Sequence, residues 1–377
     1  MTGEGLVASI MRGGTSKGIV FPLGLLPEAG PDRDDFLIRM MGSTDAGQID
    51  GFGGATSTTS KVMMVGLSHR EDADVEYFFA QVHPRRPVVD YGGNCGNMTA
   101  AVALFSVLEG LVPAVAPVVE FVMLNLNTGT RVRARVPTDG HGAATNGDYT
   151  IDGIGRPGPE IVTEYLNPAG ASGMLPTGAA REQMTMPDGA EITVSIVDIS
   201  SPLVFVKAEQ LGLSGVELPG DIDSRPELLD RLEFIRGTAA VRMGLVERVE
   251  EAAALTPGIP KVAFVTPPVD YGTSTGGRVR AADVDIVARI MSVGRAHHSF
   301  AITGTMCTIA AAAIQGSVVR EVARPDWDKP VRLGHPKGVT DARVVLADVD
   351  GTVEIKSVAV SRTARRLMRG TVDPFLT

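Results

Sequence analysis

Cysteine is nearly absent from this 377-residue chain, which holds only Cys95 and Cys307. A single bridge cannot staple a chain of this length, so a disulfide scaffold is excluded and two free thiols in a reducing cytoplasm are expected. Positive charge is also short: 35 Lys and Arg stand against 44 Asp and Glu, a net −9. That removes the basic face a nucleic-acid binder needs. No apolar run reaches the ~20 residues of a membrane span. The N-terminus lacks the charged-then-apolar pattern of a signal peptide. The six histidines (His69, His83, His141, His297, His298, His335) form no H-x-x-x-H pair and no C-x-x-C occurs, so no metal centre is expected. No G-x-G-x-x-G follows a strand pattern, which leaves a dinucleotide cofactor unsupported.

Aromatics are scarce at 5%, whereas glycine is plentiful, with 44 residues. Glycine supplies turns and close backbone approach. The balance fits short strands joined by many turns. Strands are expected at Leu6–Ile10, Lys61–Val65, Glu76–Val82, Pro87–Tyr91, Val118–Leu124, Thr130–Val136, Glu191–Ile199, Leu203–Val206, Lys261–Val265, Ala342–Leu346 and Gly351–Val360. Two helices, Cys95–Glu109 and Thr303–Gln315, are small and apolar nearly all round, the mark of a buried helix. Arg225–Arg236 and Ala281–Ser292 read as amphipathic, peripheral helices. Residues 137–188 read as extended loops. The repeated pattern of strands around a buried helix implies an α+β chain of two similar domains, 1–190 and 191–377, although one large α+β domain also fits the length.

Four constellations carry chemistry. Arg12, Gly13, Gly14, Thr15 and Ser16 combine glycine, hydroxyls and a cation, the makings of an anion-binding nest; a tight turn with solvated charges is the plainer reading. The hydroxyl run ending in Thr59 and Ser60 leads into Lys61 at the mouth of an apolar strand. Burial favours a neutral amine, which suits a general base, though many such lysines are ordinary strand-edge charges. Asn94, Cys95, Gly96, Asn97 and Met98 put a thiol at a helix start, where free N–H groups favour thiolate or hold a carboxylate; a core cysteine is the alternative. The fourth runs from His297 and His298 through Gly304, Thr305 and Met306 to Cys307 at the second buried helix, with Cys307 read as an inert core thiol.

Together the runs MRGGTSKG, DGFGGATSTTSK, VDYGGNCGNM, HHSFAITGT and GHPKG resemble the 2-methylaconitate cis-trans isomerase family, whose relatives include 3-methylitaconate, aconitate and 4-oxalomesaconate isomerases. The order and spacing agree over nearly the whole chain. The resemblance implies a diaminopimelate-epimerase-like fold: two similar domains, each a strand-rich barrel around a central helix, with the active site in the cleft between them. It implies no cofactor and no metal. It places the family's catalytic lysine on Lys61 and its catalytic cysteine on Cys95. The epimerases use two cysteines; here Ile302 or Thr303 stands where the second would be, so Lys61 takes that role.

The implied reaction is allylic proton abstraction and reprotonation on a small unsaturated di- or tricarboxylate. Donors to the developing charge are expected around Gly13–Ser16, Gly96–Met98 and Gly304–Met306, with Thr59 and Ser60 beside the lysine and Arg12, Asn94 and His298 nearby. The favoured substrate is 2-methylaconitate, the intermediate of propionate catabolism through methylcitrate. A 4-oxalomesaconate, 3-methylitaconate or aconitate isomerase, and an accessory protein to an iron–sulfur hydratase, are the alternatives. The partners expected are the small polycarboxylate and, as a base-rate expectation, a second copy of the chain.

Overall fold

The protein is described by a computed structural model covering residues 5–349 and 352–372. Its contacts divide the chain into two units, Met1–Glu164 with Ser361–Thr377, and Tyr165–Val360. The division differs from the expected one near residue 190. The first unit closes earlier and recovers the C-terminal strand, a long-range pairing that no local pattern announces.

In the first unit the order is β1 (Leu6–Gly13), β2 (Ser16–Pro22), α1 (Pro31–Met41), β3 (Lys61–Leu67), β4 (Val75–Val82), β5 (Val89–Asp90), α2 (Gly96–Leu108), β6 (Val118–Asn125) and β7 (Arg131–Pro137). Strand β8 (Ile161–Leu166) straddles the division between the units, and β20 (Ala364–Val372) returns from the far end of the chain. Pairing runs β20–β1–β2–β3–β4–β6–β7, with β2–β3 and β4–β6 parallel and the rest antiparallel. Strand β3 is a continuous apolar run because both its faces are covered. Helix α2 is Ala-rich, apolar all round, and buried from Gly96 to Val107. It packs against β1 and β20 at one end of the sheet and β7 at the other, so the sheet curls around it.

The second unit runs β9 (Glu182–Thr185), β10 (Glu191–Asp198), β11 (Pro202–Lys207), α3 (Pro219–Asp223), α4 (Pro226–Arg242), α5 (Ala252–Leu255), β12 (Lys261–Thr266), β13 (Tyr271–Gly272), β14 (Arg278–Val279), β15 (Ile286–Ser292), β16 (Arg295–Ala296), α6 (Ile302–Ala311), α7 (Val318–Val322), β17 (Val331–His335), β18 (Gly338–Val349) and β19 (Thr352–Arg362). Pairing runs β9–β10–β11–β12–β15–β17–β18, again with the third and fifth pairs parallel. Helix α6 packs on β10, β11, β17 and β18. Each unit therefore repeats one sequence of six strand pairings. In each, the fully buried helix sits on the crossover between the second parallel pair. This is the expected α+β duplication.

Three expectations need correction. Ala281–Ser292 is not a helix: only the 3-10 turn Ala281–Asp283 is helical, and Ile286–Ser292 is the central strand β15. Its charged members do not make a solvent face: Asp285 is buried and receives Arg332, and Arg289 is 1% exposed. Its β-branched Ile286, Val287 and Ile290 suit a strand paired on both edges. The stretch 137–188, expected as loops, contains β8 and β9. Pro87–Tyr91 keeps only the two residues of β5. Gly351, the first residue of the expected strand Gly351–Val360, lies outside the described residues. Among the described residues no helix is long and apolar enough to cross a membrane.

Candidate active site

The site in the first unit is built where β1, β2, β3 and the start of α2 meet. Gly13 and Gly14 close the β1–β2 hairpin. The turn passes so near α2 that a Cβ on Gly13 would come within 2.3 Å of the Asn97 carbonyl, and one on Gly14 (φ +48°) within 1.9 Å of Asn97 Oδ1. Only glycine fits at Gly14, for its space and for its left-handed backbone. The Asn97 side chain completes the clasp: Oδ1 accepts from Thr15 N at 3.3 Å, and Nδ2 donates to Thr15 Oγ1 at 3.1 Å.

This geometry changes the reading of the hairpin as an anion nest. Gly14 N donates to Thr363 O at 2.9 Å and Thr15 N to Asn97, so both amides are spent within the fold. Arg12 is committed as well: its Nη1 donates to Gly14 O, Thr363 O and Thr363 Oγ1 at 3.2, 2.6 and 2.8 Å. Burial, and then the like charge of Arg365, push the Arg12 guanidinium below its ordinary value. Arg12 is a clamp on the hairpin, and Thr363, whose part no local signal marked, is its anchor.

Cys95 is the N-cap residue of α2, in extended conformation, and no side chain caps the helix. Cys95 O accepts from Thr99 N at 2.9 Å, which leaves Gly96, Asn97 and Met98 as the first turn, with amides that have no partner inside the helix. Cys95 Sγ lies 3.9 Å from Ser16 Oγ, and both residues are buried. Asn94 is buried and its Oδ1 accepts from Cys95 N at 2.7 Å. The Met98 side chain belongs to the core, at 0% exposure.

Lys61 opens β3 and is 8% exposed. Its Nζ donates to Gln81 Oε1 at 2.6 Å and lies 5.4 Å from the centre of the Phe79 ring. Gln81, directly opposite Lys61 in β4, is a site residue that the motifs did not mark. A polar residue following the apolar run Tyr77–Ala80 of strand Val75–Val82 was the signal available. Gly18 pairs with Lys61, and a Cβ there would sit 2.3 Å from Lys61 O. Because side chains alternate along β2, Ser16 points to the same face as the Gly18–Lys61 pair, one strand over and two residues along. That is roughly 8 Å between Cα atoms. Lys61 therefore shares a sheet face with Ser16, which Cys95 approaches from α2, while its amine reaches the other way to Gln81 on β4. Thr59 and Ser60 face inward within their loop: Thr59 Oγ1 bonds Thr56, and the fully buried Ser60 Oγ donates to Gln48 Oε1 at 3.0 Å.

The second unit has its own helix start. Helix α6 begins at Ile302 after Ala301, again without a side-chain cap. Thr305 N already donates to Ala301 O at 2.7 Å, so the open first turn is Ile302–Gly304, beginning before the expected Gly304–Met306 and sharing only Gly304 with it. Met306 is core, with its sulfur 4.0 Å from Ser200 Oγ. His298 is exposed. Its buried neighbour His297 accepts from Ser299 N at 3.1 Å, and Ser299 Oγ reaches His335 Nδ1 at 3.4 Å, which brings the HHSF and GHPKG runs together. Cys307 is fully buried, near Val197 O at 3.4 Å, and burial pushes its thiol far up. Both cysteines are unbridged. Among the described residues no group of three or more His, Cys, Asp or Glu is placed to hold a metal ion.

The family described as PrpF protein matches residues 5–374. A 3-methylitaconate isomerase of Eubacterium barkeri is 42% identical, over 96% of this chain and 95% of that protein. A 2-methyl-aconitate isomerase of Shewanella oneidensis is 39% identical, over 97% of this chain and 96% of that protein. The crystal structure of a methylitaconate-delta-isomerase, 41% identical, superposes with a TM-score of 0.79 over 97% of this chain and 95% of its own.

Proposed function

The chain belongs to the PrpF protein family, and from that premise we propose that it isomerises a small unsaturated di- or tricarboxylate, with 2-methylaconitate the favoured substrate. The observation that supports the reading is that one unit holds a buried lysine, Lys61 bonded to Gln81, and a buried thiol, Cys95 beside Ser16 at the uncapped first turn of α2. Lys61 Nζ takes a proton from the carbon next to the double bond. The electron pair left behind delocalises over the former alkene and its carboxylate. Cys95 returns a proton to one end of that system. Reprotonation after rotation exchanges cis and trans; reprotonation at the other carbon shifts the double bond. The amides of Gly96, Asn97 and Met98 offer donors to a carboxylate whose charge grows during the reaction.

A second reading keeps these roles and changes the substrate to 3-methylitaconate, on the strength of the relative at 42% identity. Two unbridged cysteines support a reducing, cytoplasmic setting. Proton NMR in D₂O with 2-methylaconitate, 3-methylitaconate, aconitate and 4-oxalomesaconate separates the substrates. Deuterium entering an allylic position of one acid, with isomer formation, is the expected result. No exchange on any of the four would contradict the reading.

A further inference from the structure

Gln81 has a defined orientation. Its Nε2 donates to two carbonyls, Ser60 O at 2.9 Å and Val82 O at 3.2 Å. Turning the amide over would set its oxygen against both carbonyls and its NH₂ against the lysine. Oε1 is therefore the end that meets Lys61 Nζ, at 2.6 Å. The fixing continues outward: Ser60, whose carbonyl holds Gln81, is itself held by Gln48 Oε1, which also accepts from Ala55 N at 2.6 Å. Gln48, Ser60 and Gln81 are all at least nine-tenths buried. Every member of this chain is uncharged.

We propose that Gln81 is the positioning residue for Lys61, aiming its Nζ with a neutral acceptor so that the amine is held in place without being held as an ammonium. A neutral amine can donate one hydrogen to Oε1 and keep its lone pair for the substrate. A carboxylate at this distance would hold the proton on Lys61, because an adjacent opposite charge favours the charged form. The inference rests on the reading of Lys61 as the base.

The test replaces Gln81 in the full-length protein in two ways, Gln81→Glu and Gln81→Met. Acetylation of Lys61 by acetic anhydride near pH 8, read by peptide mass spectrometry against exposed Lys329, reports the neutral amine without any substrate. Gln81→Glu is expected to slow labelling of Lys61 by about tenfold or more, since one pH unit of altered protonation is a factor of ten. Gln81→Met removes the acceptor without adding charge; labelling is expected to stay equal or rise, while turnover falls about 10-fold or more at nearly unchanged KM. General loosening of the strand would move labelling in the same direction in both variants, and that result overturns the proposal. So does unchanged labelling in Gln81→Glu, whatever the turnover. If Gln81→Glu slows labelling but leaves turnover intact, Gln81 keeps its role and Lys61 loses that of base.

Discussion

Helix α2 starts at Gly96 with its cysteine just outside the first turn, whereas α6 starts at Ile302 with Cys307 more than a turn inside. Both helices occupy the same crossover of the same strand-pairing sequence. Cys95 lies beside a hydroxyl and next to first-turn amides that have no partner inside the helix; Cys307 touches the Val197 carbonyl in a fully buried setting that resists forming a thiolate. The two lysines differ in a similar way. Lys61 and Lys261 each begin the strand after the first parallel crossover. Lys61 meets the Gln81 amide, while Lys261 donates to the Gly258 carbonyl at 2.8 Å and lies 3.5 Å from Ser201 Oγ. A duplicated fold thus supplies equivalent positions, and the two copies surround them with different partners.

The largest effects should separate the two copies. Lys61→Ala and Cys95→Ala are each expected to lower turnover by about 10²–10⁴-fold with the fold retained, whereas Lys261→Ala and Cys307→Ala stay within a few-fold. Steady-state kinetics beside circular dichroism checks this. Equal losses in both copies would break the comparison.

Glycines at the two sites should also answer differently. Gly18→Ala would drive a Cβ against the Lys61 backbone carbonyl, which cannot move aside without parting β2 from β3; a loss of about 1–3 kcal/mol is expected. In Gly304→Ala the nearest obstacle, at 2.6 Å, is the end of the Ile290 side chain, which can swing. Denaturant melts should rank Gly18→Ala as the more damaging.

Asp198, at the end of β10, has its carboxyl pushed up from 3.8 to about 6 by burial. The folded value lies above the unfolded one, so the protonated form favours the fold. That contribution is fully present below about pH 4 and is lost as pH rises through about 6. Asp198→Asn should therefore raise the melting temperature at neutral pH, by the equivalent of about 1–2 kcal/mol, with the gain vanishing toward pH 4. Thermal melts across that range test it. The smallest contrast is chemical: iodoacetamide should label Cys95 and leave Cys307 untouched in the folded protein, as peptide mapping would show.

Much of this was legible in the sequence. Strands β1, β3, β4, β6 and β7 and the two buried helices followed from apolar runs and from Ala-rich stretches without a polar face, whereas β2 went unread behind its glycine and hydroxyl run. The Gly/Asn helix start at Cys95 and the hydroxyl-rich approach to Lys61 pointed to the pair. What escaped notice is non-local. The charged, short-patterned strand Ala364–Val372 returns to β1 only through long-range pairing, and with it comes Thr363, which occupies Arg12 and the Gly14 amide. Ala281–Ser292 carried Asp283, Asp285 and Arg289, which read as a solvent face, whereas Ile286–Ser292 is a strand paired on both edges. Gln81 lay near the end of a largely apolar strand, where its role depends on which residue the register sets opposite.

The central claim, that proton transfer belongs to Lys61 and Cys95 of the first unit, is tested most directly by solvent-deuterium incorporation into 2-methylaconitate, followed by NMR. The comparison sets the native protein beside Lys61→Ala, Cys95→Ala and the double variant Lys261→Ala/Cys307→Ala. Exchange that is lost in the first two and kept in the third is expected. Exchange that survives in Lys61→Ala and Cys95→Ala at near-native rates would contradict the account.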